Sequence, residues 1–199
     1  MAIRTSTQAK ADPDTGELAT APTRPLTVTD ANLLREGSDV DFRRFVHGLL
    51  AFTARLEATR NGFGALVGLS GPQYTILISI AQLEATGDVN VSTVAEHLHY
   101  SGAFVTLEVG RLVKKGLVSK QPSPHDGRRV RLLVTAEGHE LLAGLAPTQS
   151  RVNDTLFSAL EASDLDRILK LLPALIEGGD AATALISYEL TARGGDARP

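Results

Sequence analysis

Basic side chains are concentrated in one short part of an otherwise acidic chain. Between Ser101 and Arg131 the only acidic residues are Glu108 and Asp126, and the formal charge of this stretch is +5, whereas the whole chain of 199 residues carries −3. The basic residues are Arg111, Lys114, Lys115, Lys120, Arg128, Arg129 and Arg131. Because phosphate neutralisation supplies most nucleic-acid affinity, this block indicates a surface that faces a polyanion.

The elements that must position these charges lie between Val89 and Thr135. The pattern predicts a short helix from Ser92 to Leu98, a tight turn at His99 and Tyr100, and a longer helix from about Ser101 to Lys115. Two strands follow, Leu117 to Gln121 and Val130 to Val134, around a tip rich in proline and glycine. This order is that of a helix-turn-helix with a wing attached.

The longer helix has two distinct faces. Val105, Val109, Leu112 and Val113 recur at helical spacing and must point inward. The remaining positions and the wing supply the candidate DNA-contacting residues, which are Ser101, Ala103, Thr106, Leu107, Arg111, Lys114, Lys120, Asp126, Arg128 and Arg129.

The middle of the outward face is small and apolar, which leaves two readings of Leu107 open. It is either an exposed or pocket-lining leucine, or one of three residues, with Ala103 and Thr106, that contact thymine methyl groups. In the second reading specificity rests partly on apolar contact and on DNA shape.

The same stretch resembles the winged-helix domain of the MarR family of transcription regulators. The resemblance spans roughly Leu69 to Gly138, and its motifs are LSGPQ at 69–73, VAEHL at 94–98, GLV at 116–118, DGRR at 126–129 and LVTAEG at 133–138. It implies that a wing arginine enters the minor groove while Asp126 braces it. It also implies that the terminal helices interdigitate with a second copy. The sequence departs from the family at Leu107, where a polar or basic residue is usual.

The fold class predicted is mainly α with a small β-wing. Residues 1–36 read as a disordered or partner-crossing arm, 37–64 as a first dimerisation helix, 65–138 as the winged helix-turn-helix domain and 139–195 as C-terminal dimerisation helices. Ser38 and Asp41 fit a capping box, and Gly62 and Gly64 predict a helix end. The C-terminal pattern predicts three helices, at 136–162 with a bend at Pro147, at 164–176 and at 180–191.

By the same resemblance, a small effector would bind in a cleft between the dimer helices and the winged domain. Arg43 and His47 would meet a carboxylate there, and Tyr74 would stack on an aromatic ligand. Aromatic carboxylates or their thioesters are the preferred effectors. The alternative is that Tyr74 belongs to the core and Arg43 is a solvated surface residue.

Composition and missing motifs exclude several classes. Cysteine is absent, so thiol chemistry cannot make the protein respond to peroxides. The five histidines do not form a ligand set, because His97 and His99 point apart on a helix, and no metal or cofactor is expected. Phosphate-binding loops and nucleophile motifs are absent, so no catalytic residues are predicted. With no membrane-length apolar run and no signal core, a cytoplasmic protein is expected.

These observations favour a homodimeric transcriptional regulator that binds a pseudo-palindromic operator in double-stranded DNA. A repressor whose DNA affinity is lowered by a small ligand is preferred over an activator. Three alternatives remain open: a winged helix used as a protein–protein module, a metal-responsive regulator of the same fold, and an enzyme assembled from dispersed residues.

Overall fold

The computed structural model describes residues 24–85, 87–123 and 130–195. In these ranges a 3-10 turn at Ala31–Leu33 precedes six helices and one hairpin. The elements are α1 (Val40–Leu66), α2 (Gly71–Leu83), α3 (Val91–Leu98), α4 (Gly102–Lys114), β1 (Val118–Pro122), β2 (Val130–Val134), α5 (Ala136–Leu156) and α6 (Ala162–Gly195). The chain forms two compact units that divide within α1, after Ala54. The predicted class, mainly α with a small antiparallel wing, is confirmed.

The core of the second unit lies among α2, α3, α4 and the wing. Helix α2 is buried on nearly every side, with Tyr74, Ile76, Leu77 and Ile80 in the core, so it is the central helix of this unit. The core also takes Phe63, Leu69, Val89, Val94, Ala95, Val105, Val109, Leu112, Leu117, Val118, Leu132, Val134 and Leu145. The predicted inward face of α4 is confirmed, with Val113 only partly buried.

The helices begin where the sequence provides caps. The Ser70 side chain accepts from the Gln73 amide and the Gln73 side chain accepts from the Ser70 amide, which completes a capping box. Asn90 caps α3 and Thr135 caps α5. Gly116 follows α4 with φ +74, the left-handed backbone in which glycine carries no steric penalty. These caps fix the start and end of each element in the winged domain.

Two predicted helix breaks are wrong. Helix α1 runs through Gly62 and Gly64 to Leu66, and α6 is one helix that includes Pro173, Gly178 and Gly179. A glycine costs a helix only about 1 kcal/mol relative to alanine, so flanking helix-forming residues override it. Gly64 has another role, because a Cβ there would lie 2.9 Å from the Ser70 carbonyl oxygen. The helix predicted for residues 136–162 is shorter in the structure than predicted, since α5 ends at Leu156.

The described part of the predicted arm is fixed to the start of α1. Asp39 is buried, and one of its oxygens accepts from both the amide and the hydroxyl of Thr27 at 2.7 Å. Arg43 bonds the same carboxylate at 3.0 Å and the carbonyl of Pro25. Asp39 thus faces the arm, and the Ser38–Asp41 capping box predicted for this helix does not form, since α1 begins at Val40. Residues 1–23 lie outside the described residues.

The attachment of the arm is expected to weaken in acid. The Thr27 hydrogen bonds, followed by Arg43, lower the pKa of Asp39 from 3.8 to about 2. A lowered pKa in the folded state means that stabilisation is complete above pH 3.8 and is lost as the pH falls through about 2. Hydrogen exchange at the Thr27 amide should be slower in the wild type than in Asp39→Asn at pH 5, and the difference should shrink as pH 2 is approached. An equal difference at both pH values would contradict this assignment.

In the part of the chain that is described, no single helix is long and apolar enough to cross a membrane. Among the described helices, only α1 and α2 taken together have the length and apolar composition of a membrane span, and they are bent by 90° where they meet.

Candidate nucleic-acid interface

The outward face of α4 is set by the packing of its inward face. Helix α3 ends at Leu98 and is capped by His99, a non-glycine residue in the left-handed region at φ 52, which turns the chain into α4. The Tyr100 ring packs edge-on to Phe104 with centroids 5.3 Å apart, and Ser101 caps α4 by accepting from the Phe104 amide. The tight turn therefore joins α3 and α4 as a helix-turn-helix pair.

All the candidate residues on α4 and at its cap are exposed. The six residues Ser101, Ala103, Thr106, Leu107, Arg111 and Lys114 are each exposed. The Thr106 hydroxyl donates to the Gly102 carbonyl at 2.7 Å, so its proton is used within the helix. Leu107 is 53% exposed, which excludes the core and leaves it available to a groove or to another surface.

A buried acidic residue lies directly beneath this face. Glu108 is 3% exposed, and its two oxygens accept from Gln73 Nε2 at 3.0 Å and from Arg111 Nη1 at 2.6 Å. The sequence suggested only that Glu108 reduces the positive charge. Its partner Gln73 is 35 residues away, and no local pattern indicates that contact.

The wing strands pair as predicted, shifted by one residue at β1. They are antiparallel with Val118 opposite Val134 and Pro122 opposite Val130, and Lys120 is exposed on β1. The tip residues Asp126, Arg128 and Arg129 lie outside the described residues, so their predicted roles stay predictions.

The base of the wing is held by acids that the sequence analysis missed. Asp88 accepts from the Ser123 hydroxyl at 2.6 Å and from Arg131 at 3.4 Å, on the two sides of the tip segment. The Leu132 amide donates to the Val89 carbonyl, and the Val134 amide donates to Glu84. These contacts join β2, and Ser123 just after β1, to the segment between α2 and α3. An Asp before a short helix gives no sequence signal for this role.

The three predicted effector residues lie in different units. Arg43, partly buried, and His47, exposed, belong to the first unit, where Arg43 is bonded to Asp39 and Pro25. Tyr74 is 1% exposed in the second unit, against the Phe63 ring and beneath the Arg60 guanidinium. Burial raises the pKa of the Tyr74 hydroxyl, and the Arg60 charge opposes this. Tyr74 is thus a core residue in this structure, and a shared ligand site stays a prediction.

The residues that the structure describes hold no cluster of three or more histidine or acidic side chains able to bind a metal ion. The exposed residues of α4 and β1 can form hydrogen bonds and neutralise negative charge.

Helices α2 to α4 and the following hairpin form a winged helix-turn-helix domain, the class of protein that this fold defines. Residues 67–129 match the model of the MarR family. The resemblance noted in the sequence is confirmed, because residues 67–129 are similar to the winged helix-turn-helix domain of the MarR family.

Comparison with known proteins gives the same class. The uncharacterized HTH-type transcriptional regulator YhbI of Bacillus subtilis is 31% identical over 103 residues, which are 52% of this chain and 65% of that protein. A mutant MarR from E. coli, solved in complex with operator DNA, matches with a TM-score of 0.53 and 20% identity over 68% of this chain and 94% of that one. CouR from Rhodococcus jostii RHA1, bound to p-coumaroyl-CoA, matches with a TM-score of 0.57 and 20% identity over 66% of this chain and 91% of that one. The two structures establish a shared fold.

Proposed function

We propose that this protein is a cytoplasmic, homodimeric transcriptional regulator that represses by binding a pseudo-palindromic operator and releases it when a small ligand binds. The observation that carries the DNA-binding part is the exposed face of α4, on which Arg111 and Lys114 are accessible beside the basic wing of an acidic protein. The similarity of the fold to that of a MarR protein solved with operator DNA supports the same proposal.

The proposed contacts involve both grooves of the DNA. Helix α4 would lie in the major groove, with Ala103, Thr106 and Leu107 towards the bases and Arg111 and Lys114 towards phosphates. Ser101 would approach the backbone at the start of α4, and Lys120 would contact a phosphate from β1. The wing tip, with Arg128 and Arg129, would reach the adjacent minor groove, and Asp126 would brace Arg128. Two-fold symmetry would place the half-sites roughly 10 base pairs apart.

Salt dependence tests this proposal. The probe is a labelled duplex selected from a random-sequence pool by the wild-type protein, and its affinity is measured by anisotropy across a range of salt concentrations. Each phosphate contact contributes about −0.9 to the slope of log affinity against log salt. Lys120→Ala should therefore make the slope about one less steep per site. Arg193→Ala, which removes an exposed charge at the end of α6, should leave the slope unchanged.

Other outcomes identify the alternatives. Salt-insensitive association with a protein, abolished by changing Leu107, would indicate a protein–protein module, because its 53% exposed side chain lies at the centre of the α4 face. Turnover of a substrate that competing DNA does not affect would indicate an enzyme.

The dimer is proposed from apolar side chains that this chain leaves uncovered. Helix α6 has no buried residue between Ala162 and Arg193, the part for which burial is described. Its exposed apolar residues include Leu165, Ile168, Leu169, Leu171, Leu172, Leu175, Ile176, Leu185, Ile186 and Leu190. Phe45 and Leu49 of α1 are also exposed. Soluble monomers rarely expose contiguous apolar surface of this extent, so a second copy is the proposed cover.

Sedimentation at low micromolar concentration is expected to show a dimer. Leu169→Glu should shift the protein towards monomer, because it places a charge on the apolar surface of α6. Lys170→Glu places the same side chain at a neighbouring exposed position that is already charged, and it should leave the dimer intact. A wild-type monomer would contradict the proposed dimer.

The effector is proposed to be an aromatic carboxylate or its thioester, and the p-coumaroyl-CoA complex of CouR supports this choice of class. Calorimetric titration of such compounds tests it, with release of the labelled duplex as the second readout. Purified protein that binds none of them but contains a stoichiometric metal ion would instead indicate a metal-responsive regulator.

A further inference from the structure

Glu108 is a charged residue buried within the proposed DNA-binding helix. Its side chain is 4% exposed, and an uncompensated charge at such a site would be strongly unfavourable. Compensation comes from two donors, Gln73 Nε2 at Oε2 and Arg111 Nη1 at Oε1. Each carboxylate oxygen therefore has its own donor, an arrangement that fits the acceptor-only ionised form.

The orientation of Gln73 is also determined. Its side-chain oxygen accepts from the Ser70 amide at 3.3 Å as half of the α2 capping box. The amide nitrogen is left to donate, and it donates to Glu108. A continuous series of hydrogen bonds thus runs from the start of α2 through Gln73 and Glu108 to Arg111.

Arg111 is where this series reaches the surface. Its side chain is 54% exposed, and the bond to Glu108 at 2.6 Å uses Nη1. A guanidinium has five N–H donors in a rigid fork, so one bond to a buried anchor restrains the side chain and leaves further donors for an outside acceptor.

We propose that Glu108 and Gln73 are positioning residues that hold the Arg111 guanidinium at the DNA face of α4, ready to bind one backbone phosphate. This inference rests on the proposed function. The buried negative charge of Glu108 repels DNA. This unfavourable repulsion is offset because Arg111, already held by Glu108, loses little side-chain entropy when it binds the phosphate.

Glu108→Gln separates positioning from bulk electrostatics. The variant keeps the volume of the side chain but replaces one acceptor oxygen with an amide nitrogen that donates. Because Gln73 and Arg111 donate to different oxygens, one of them would face that nitrogen and lose its bond. It also raises the charge of α4 by one, which alone would strengthen DNA binding. The inference predicts the opposite, a loss on the order of 3- to 30-fold for the selected duplex. Glu140→Gln makes the same charge change at an exposed position on α5 and should not weaken binding.

A double-mutant cycle shows whether Glu108 acts through Arg111. Glu108→Gln added to Arg111→Ala should cause no further loss of affinity, because nothing remains to be positioned. A loss of the same size in both backgrounds would mean that Glu108 supports the domain independently, and the inference would be overturned. Tighter or unchanged binding by Glu108→Gln alone would also overturn it.

Arg111→Lys keeps the inference testable if Glu108→Gln does not fold, which thermal unfolding will show. Lysine retains the charge but not the fork, so the variant should lose nearly as much affinity as Arg111→Ala. Affinity equal to that of the wild type would mean that charge alone matters and would reject positioning. If the wild type itself binds no duplex in a salt-sensitive manner, the proposed function fails and this inference fails with it; the other contrary outcomes reject the inference alone.

Discussion

Replacing Leu112 with alanine is expected to lower the free energy of unfolding by about 2–5 kcal/mol. Leu112 is fully buried in α4 among side chains from α2, α3 and the wing. The substitution removes transfer free energy and leaves a cavity that a close-packed core fills only partly. Urea denaturation followed by far-ultraviolet circular dichroism measures the change.

Leu107→Ala is the matched control, because it makes the same chemical change on the same helix at an exposed position. Surface substitutions generally stay within about 0.5 kcal/mol, so its effect on stability should be small. Similar destabilisation by the two variants would show that the inward and outward faces of α4 are assigned incorrectly. The two variants also separate roles, since Leu107→Ala is the one expected to change the preference among DNA sequences.

Arg128→Ala is expected to produce the largest loss of DNA affinity in the wing, about 1–3 kcal/mol for each contact made, with two copies acting in a dimer. The residue follows Asp126 and Gly127 at the hairpin tip, where it would reach a narrow minor groove with concentrated negative potential. Asp88 bonds both Ser123 and Arg131, which lie on either side of the tip segment, so the tip begins from an anchored hairpin. Anisotropy with the selected duplex at physiological salt measures the loss.

The Asp126 brace gives this prediction its internal control. Asp126→Ala should weaken binding although it removes a negative charge, and adding it to Arg128→Ala should cost little more, since a brace without its arginine has nothing to hold. Tighter binding by Asp126→Ala, or wild-type affinity in a folded Arg128→Ala dimer, would mean that the wing does not read DNA in this way.

Local features of the sequence were sufficient to predict the elements of the winged domain and the buried face of α4. The spacing of Val105, Val109 and Leu112 predicted which side of α4 is buried, because a helix places such positions on one face. Ser70, Thr135 and Gly116 marked helix ends through chemistry that involves only neighbouring residues. The resemblance to the family was recognisable for the same reason, since its motifs lie close together between Leu69 and Gly138.

The tertiary structure alone decided which polar residues are paired inside. Glu108 meets Gln73 across 35 residues, and Asp88 meets Arg131 across 43, so neither contact leaves a periodic or capping signal in the sequence. It also decided that α1 and α6 continue through their glycines, because the local preference against glycine is only about 1 kcal/mol and is overridden by the rest of the helix. The sequence showed which residues are charged; packing determined that Glu108 lies beneath Arg111 rather than beside it in solvent.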